Sequence, residues 1–246
     1  MMGLMVYEIG DKTQKPVSFG NKAAIDETRS KSRVRPMHYG VDYNASPLEF
    51  TLIFGTEREL DRFEMEEIAF WLTGHNDYKW LSIDQPDLQD VQFRCIITQL
   101  TPIHVGFLPV AFEATIRCDC PYAYSFPFEE AYHIEGETPI LFRNHSSVHE
   151  VIKPDLVFTP ASGGGSLSIV NQNDGGREFR LDNLPQGGAA ITIDNEHGII
   201  RDAAGHNYFA GFNMNFFRAV HGDNNLIVTG NGTLRISGRF LFNVAG

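Results

Sequence analysis

Residues 110–120 read VAFEATIRCDC, the cleanest alternation in the chain. Val110, Phe112, Ala114, Ile116, Cys118 and Cys120 fall on one side, and Ala111, Glu113, Thr115, Arg117 and Asp119 on the other. Successive side chains of a strand leave opposite faces, so this is a half-buried antiparallel strand, stopped by Pro121. Upstream, Phe50, Leu52 and Phe54 alternate with Thr51 and Ile53 and give a mostly buried strand. Two more read as YKWLSID (78–84) and VQFRCIITQL (91–100), joined across a Pro-containing turn. Ahead of them, TERELDRFEMEEIAFWLTG (56–74) spells the one helix of the chain. Thr56 with Glu59 has capping-box spacing, and Gly74 supplies the stop. Leu60, Phe63, Ile68, Phe70 and Trp71 fall toward one side, so the helix is expected to lie on a sheet through that stripe.

Farther along, the composition changes. Seven of the 23 glycines lie in residues 1–134 and sixteen in 135–246, while both tryptophans and all three cysteines lie in the first part. Short apolar runs follow at 155–159, 167–171, 178–182, 190–194, 226–229 and 233–242, separated by Gly-Gly, Asp-Gly and Asn-Gly pairs. Such pairs are hairpin signals, and many short strands at near-regular spacing suggest a β-sandwich or jelly roll. The expected organisation is therefore two β-rich domains, 1–134 and 135–246. The aromatic, proline-bearing stretch 121–139 lies at their junction, and the last strand is positioned to return to the first domain.

The 246 residues carry 20 Lys+Arg against 31 Asp+Glu, a net charge of −11, with 42% apolar residues. This is a globular balance that can bury a core, and its acidity argues against a whole-surface nucleic-acid binder. No apolar run is long enough to span a bilayer. The opening MMGLMVYEIGDK does not read as a signal peptide. Three cysteines in a chain of this length make no disulfide framework.

No nucleophile-elbow, phosphate-loop, dinucleotide or zinc-protease motif is present. Glu64, Glu66 and Glu67 belong to a wet helix face. Asp174, Asp182, Asp194 and Asp202 sit at strand ends and hairpins, where Asp is the default, and the expectation is no enzyme and no cofactor. His145 and His149 have a metal-binding spacing only if helical, and their context is a loop. Arg29, Lys31, Arg33 and Arg35 occupy every second position and share one face if extended. Residues 11–35 hold seven basic and three acidic residues on an otherwise acidic chain. Nucleic-acid contact, a charge-guarded edge strand and a subunit interface all fit such a strip, and the third is the reading adopted.

The run FEATIRCDCPYAYSF (112–126), and within it Cys120, Pro121, Tyr122 and Tyr124, resembles the signature of the distal tail proteins of long, non-contractile-tailed phages. Val17-Ser18-Phe19-Gly20 is similar to that family's opening strand, and the helix ending Trp71-Leu72 followed by Ile83-Asp84-Gln85-Pro86 keeps its order of elements. AITIDNEHGII (190–200) and DNNLIVTGNGTLRISGRF (223–240) resemble the ends of its C-terminal domain. Two features depart from the pattern: Leu88-Gln89-Asp90 stands where an aromatic is expected, and the polar stretch 201–225 has no counterpart. The resemblance implies a tail-tube-related, β-sandwich-like first domain that closes a homohexameric ring, and a galectin-like β-sandwich as the second. It implies a virion part at the tail tip of a siphophage or prophage, assembled in the host cytoplasm and needing no cofactor. Its partners would be the tail-tube protein, the tail-associated protein, and a receptor-binding protein or a cell-wall glycan. The alternative is a carbohydrate-binding protein acting through the second domain, with Tyr208, Phe209 and Phe212 stacking on sugars.

Overall fold

A computed structural model describes residues 5–6, 23–28, 35–43, 46–55, 58–161, 165–185 and 188–244. The chain is mainly β and divides into two compact units, Met1–Tyr124 with Asn243–Gly246, and Ser125–Phe242.

The first unit contains β1 (Met5–Val6), β2 (Ala23–Thr28), β3 (Met37–Tyr43), β4 (Glu49–Gly55), α1 (Arg62–Thr73), β5 (Lys79–Leu81), β6 (Val91–Val105), β7 (Leu108–Cys118) and β8 (Ala123–Ser125), which ends one residue beyond it. Pairing runs β1-β4-β7-β6-β8, with β5 also on β6 and β2 paired separately with β3, and the β1–β4, β4–β7, β6–β7, β5–β6 and β2–β3 ladders are antiparallel. The alternation of 110–120 is realised as expected at its centre: Phe112, Ala114, Ile116 and Cys118 are buried. β6 and β7 continue well past the apolar residues that signalled them, pairing as far as Val105 and Leu108. Gly106 stands first in the two-residue loop between them at φ +66°, the conformation a type II′ hairpin demands. Phe107, the second loop residue, is 98% exposed.

The helix is present, with two corrections. It starts at Arg62, and its cap is Asp61, not Thr56, which lies outside the described residues. Asp61 accepts from the Glu64 backbone N–H at 2.8 Å, and the Glu64 carboxylate accepts from the Asp61 N–H at 3.0 Å. The buried face is made by Leu60 and Ile68 with Met65, Ala69 and Leu72, against Phe112 and Leu100. Phe63, Phe70 and Trp71, expected in that stripe, point outward.

The second unit contains β9 (Phe128–Asn144), β10 (Asp155–Pro160), β11 (Gly165–Asn171), β12 (Arg177–Leu184), β13 (Ile191–Asp194), β14 (Ile199–Asp202), β15 (Gly222–Gly238) and β16 (Leu241–Phe242). Its sheet runs β12-β11-β15-β10-β13-β14, with β9 also on β15. β15 organises the whole unit. It pairs with all seventeen residues of β9, with β11 over Leu226–Thr229, and with β10 over Gly232–Ser237. Two sequence readings are corrected here. Residues 226–229 and 233–242 are not two strands about an Asn-Gly turn, because β15 passes straight through Asn231-Gly232. Ile134–Gly136, where the composition changes, lies in the middle of β9. Its alternation of Glu, Tyr, His and Pro conceals a strand that pairs only on one side, where proline is tolerated.

One continuous core fills this unit, including Phe142, Phe158, Phe179, Leu181, Ile193 and Leu234. Buried asparagines pin the irregular segment before β15. Asn195 accepts from the Phe217 N–H at 3.1 Å, and Asn144 donates to the Ala219 carbonyl at 3.4 Å. Asn224 accepts from the Val220 N–H and donates to the Val220 and Gly222 carbonyls, each at 2.9 Å. The long polar stretch of the sequence is therefore an ordered part of this unit.

Candidate assembly surface

Among the described residues of the first unit, the four most exposed aromatics lie on α1 and at the β6–β7 hairpin tip. Phe63 is 78% exposed and Phe70 75%, with Trp71 also outward. Large apolar groups on a helix surface leave apolar area in water, and such patches commonly mark a contact with another molecule. The acidic residues around them are partly neutralised. Arg62 pairs with Glu66 at 2.9 Å, and Arg58 pairs with Glu64. The Arg58 guanidinium and the Asp61 N–H hold the Glu64 carboxyl down at about 2. At the hairpin end, Val105, Phe107 and Leu108 form an apolar tip.

A groove of 310 Å³ opens between the C-terminal turn of α1 and the sheet, with Trp71, Leu72, Trp80, Cys95, Ile97 and Ile116 among its walls. Behind Trp80 lie the residues of the Cys-Pro-Tyr-Ala-Tyr run. The Tyr124 ring meets Trp80 edge-on at 5.2 Å, and its hydroxyl donates to Asp119 at 3.1 Å. Asp119 also faces Arg94 at 3.5 Å, and the Cys120 thiol donates to the Tyr122 carbonyl at 3.3 Å. Burial pushes the Tyr124 hydroxyl and the Cys120 thiol upward, so both stay protonated at neutral pH. These side chains are spent on one another, tying the end of β7 to the turn that follows Pro121. Of the cationic strip, Arg29, Lys31 and Arg33 lie outside the described residues, and Arg35 is exposed just before β3.

In the second unit, Phe212 is buried, and Tyr208 and Phe209 pack partly buried against the same core. The Phe209 and Phe216 rings lie 5.8 and 4.6 Å from Phe212. Stacking on a sugar needs a free ring face, and these faces are largely occupied by each other. His145 meets the Phe240 ring and His149 the His221 ring. Among the described residues no three potential metal ligands converge, and no helix is long and apolar enough to cross a membrane.

Asp202 closes the turn after β14. It accepts from the backbone N–H groups of Ala204 and His206 at 2.9 Å, from the His206 ring at 2.8 Å and from the Tyr208 hydroxyl at 3.0 Å. These bonds, the His206 ring first, lower its carboxyl to about 2. A carboxyl lowered on folding stabilises above its ordinary value of about 4, and the benefit is lost as pH falls toward 2. Amide-exchange protection of Ala204 and His206 is thus expected to hold at pH 5 and to fade below about pH 4. Asp202→Asn should remove that dependence, and protection unchanged down to pH 2 in the parent would refute the assignment.

The outward aromatics of α1 and the hairpin tip were not identified from sequence as contact residues. One signal for the tip was present: Gly106-Phe107, a glycine-first pair between two apolar runs, is a hairpin loop that presents its second residue to solvent.

Two family models match the chain, one described as a phage tail protein N-terminal domain over residues 1–120 and one as a phage tail C-terminal domain over residues 122–238. The break between them lies close to the division between the two compact units. Among solved structures, the Dit protein of phage SPP1 is described as a paradigm of the hub adsorption apparatus in phages infecting Gram-positive bacteria. It matches with a TM-score of 0.68 at 11% identity, over 97% of this chain and 94% of that one. The phage P2 baseplate in its activated conformation with calcium matches with a TM-score of 0.55 at 11% identity, over 95% of this chain and 90% of that one. The strontium form gives 0.56 at 10% identity, over 96% and 90%. At such identities the likeness is one of fold. No curated protein sequence matches the chain.

Proposed function

We propose, from the premise that the chain belongs to the phage tail protein family matched in both its halves, that it forms a hexameric ring at the distal end of a siphophage tail. In this reading the ring joins the tail tube to the tail-tip proteins and serves as a hub for the adsorption apparatus. Its subunits are assembled in the host cytoplasm and do no chemistry. The first unit closes the ring, and the second, a galectin-like appendage, faces outward toward a receptor-binding protein or cell-wall glycan.

The observation that carries the reading is the pair of apolar surfaces on the first unit, the α1 aromatics and the hairpin tip. They belong to different elements, and a head-to-tail ring needs two distinct complementary patches. From Ile97 in the groove wall to Val105 at the tip, the strand runs roughly 25 Å. The cationic residues Arg29, Lys31, Arg33 and Arg35 supply the charged part of the same interface in this proposal. The acidic body of a neighbouring subunit would receive them.

Negative-stain microscopy with light scattering tests the reading. The expected result is a six-fold ring, and a monomer at every concentration would refute it. Joint replacement of Phe63 and Phe70 by Asp should lower ring yield about tenfold or more, because central aromatics carry much of an interface's energy. Both rings already stand in water, so circular dichroism should not change. Undiminished rings from that variant would mean that α1 faces solvent in the assembly. A glycan array distinguishes the carbohydrate-binding alternative, which requires sugar affinity from a chain that forms no ring.

A further inference from the structure

We propose that Cys95 and Cys118 form a redox-responsive pair that closes into a cross-strand disulfide when the protein meets a peroxide. This goes beyond the assembly role and does not depend on it. The two residues are direct partners in the β6–β7 ladder. The Asp119 N–H donates to the Arg94 carbonyl at 2.9 Å, so the neighbouring Arg94–Asp119 position is the hydrogen-bonded one. Cys95 and Cys118 therefore occupy a non-hydrogen-bonded position, where opposed Cα atoms lie about 4.5 Å apart and side chains approach most closely. That separation is within the range disulfides use. Both side chains leave the inner face of the sheet, and both are buried. Cys120, two residues on, is instead engaged with the Tyr122 carbonyl and the Tyr124 hydroxyl at 3.3 Å.

Access is unequal, and this sets the order of events. Cys95 lines the groove beneath α1, whereas Cys118 is 1% exposed. A molecule as small as hydrogen peroxide can reach Cys95 through that groove. The Cys95 sulfur attacks one peroxide oxygen and the O–O bond breaks. Cys95 becomes a sulfenic acid, and the other oxygen leaves as water with the thiol proton. The Cys118 sulfur then attacks the Cys95 sulfur and displaces its hydroxyl as a second water, which takes the Cys118 proton. Two thiols are oxidised to one disulfide and one peroxide is reduced to two waters. Burial raises the thiols to about 11 and about 12, which keeps the pair reduced and slow to react in a reducing compartment. Once closed, the bridge ties together the two strands that carry the Phe107 tip.

Exposure of the native full-length chain to hydrogen peroxide, followed by denaturation and thiol counting, tests the proposal. Free thiols should fall from three to one per chain, with a mass loss of about 2 Da. Peptide mapping should join the Cys95 and Cys118 peptides. Cys120→Ser should leave two thiols before oxidation and none after it. Cys118→Ala should stop at a Cys95 sulfenic acid that dimedone captures. Three thiols surviving in the native parent, or a bridge that involves Cys120 or a second chain, would overturn the assignment. The parent's peptide map decides the matter even if a variant misfolds.

Discussion

Gly232→Val is expected to unfold the second unit outright, at a cost of about 4 kcal/mol or more, in the class of the most damaging single substitutions. Gly232 sits in β15 at φ +151°, and a Cβ built there would stand 2.3 Å from the Thr159 carbonyl oxygen and 2.9 Å from the Pro160 Cα. Both atoms are backbone of the paired strand β10, so no side-chain movement relieves the clash. The only relief is to part β10 from β15. Gly175→Ala is the control. It also has a positive φ, but nothing lies within 4 Å of the added Cβ, so only about 1 kcal/mol is at stake. Both tryptophans belong to the first unit, so tryptophan fluorescence reports it separately from the whole-chain circular dichroism. If the units fold independently, as we propose, the dichroism of Gly232→Val falls while its tryptophan transition stays at the parental denaturant concentration. Coincident shifts of both signals would show that the units fold as one.

Asn224→Leu is the second large effect expected, about 3 kcal/mol of destabilisation. Asn224 is fully buried. Its amide oxygen receives the Val220 N–H and the Asn171 side-chain amide, at 2.9 and 2.8 Å, while its nitrogen serves the carbonyls of Val220 and Gly222. Leucine keeps the branched skeleton and is the larger residue, so the substitution opens no cavity and strands the polar groups that Asn224 serves. Each buried group left without a partner costs about 1–3 kcal/mol. The neighbouring Asn225 is exposed and its side-chain amide donates to Asn173, so it should tolerate alanine with little change. Equal urea midpoints for Asn224→Leu and Asn225→Ala would show that the Val220 turn closes by itself.

The central β-ladder of the first unit was readable because Phe112, Ala114, Ile116 and Cys118 alternate with polar residues. Periodicity placed the helix but chose the wrong face. At about 100° per residue, Phe63 and Phe70 lie far around the helix from Met65 and Ala69, so two apolar stripes competed. The bulkier one reads as core, yet the sheet is covered by the smaller and more pliable side chains. β9 was missed because a strand paired along one edge needs little apolar patterning, and its Glu, His and Pro look like a connector. Asn231-Gly232 carried a turn signal, whereas the glycine is required by a crossing backbone, a tertiary demand that local chemistry does not reveal. The Cys-Pro-Tyr-Ala-Tyr run carries the family resemblance, but the Tyr124 bond to Asp119 and its ring contact with Trp80 arise only from tertiary packing. The opposition of Cys95 to Cys118 likewise needed the register of β6 on β7, since 22 intervening residues and two irregularities separate them.

The dominance of β15 has a bearing on how the chain is made. β9, β10 and β11 emerge from the ribosome first, and each finds its partner in a strand that is not complete until residue 238. During synthesis they therefore wait as open edges, each able to pair with another chain's strand instead. The β11–β12 and β10–β13–β14 ladders can pair beforehand, but β15 is what joins them to each other and to β9. A nascent chain stalled before Gly222 carries most of this unit's core residues without the ladder that would bury them.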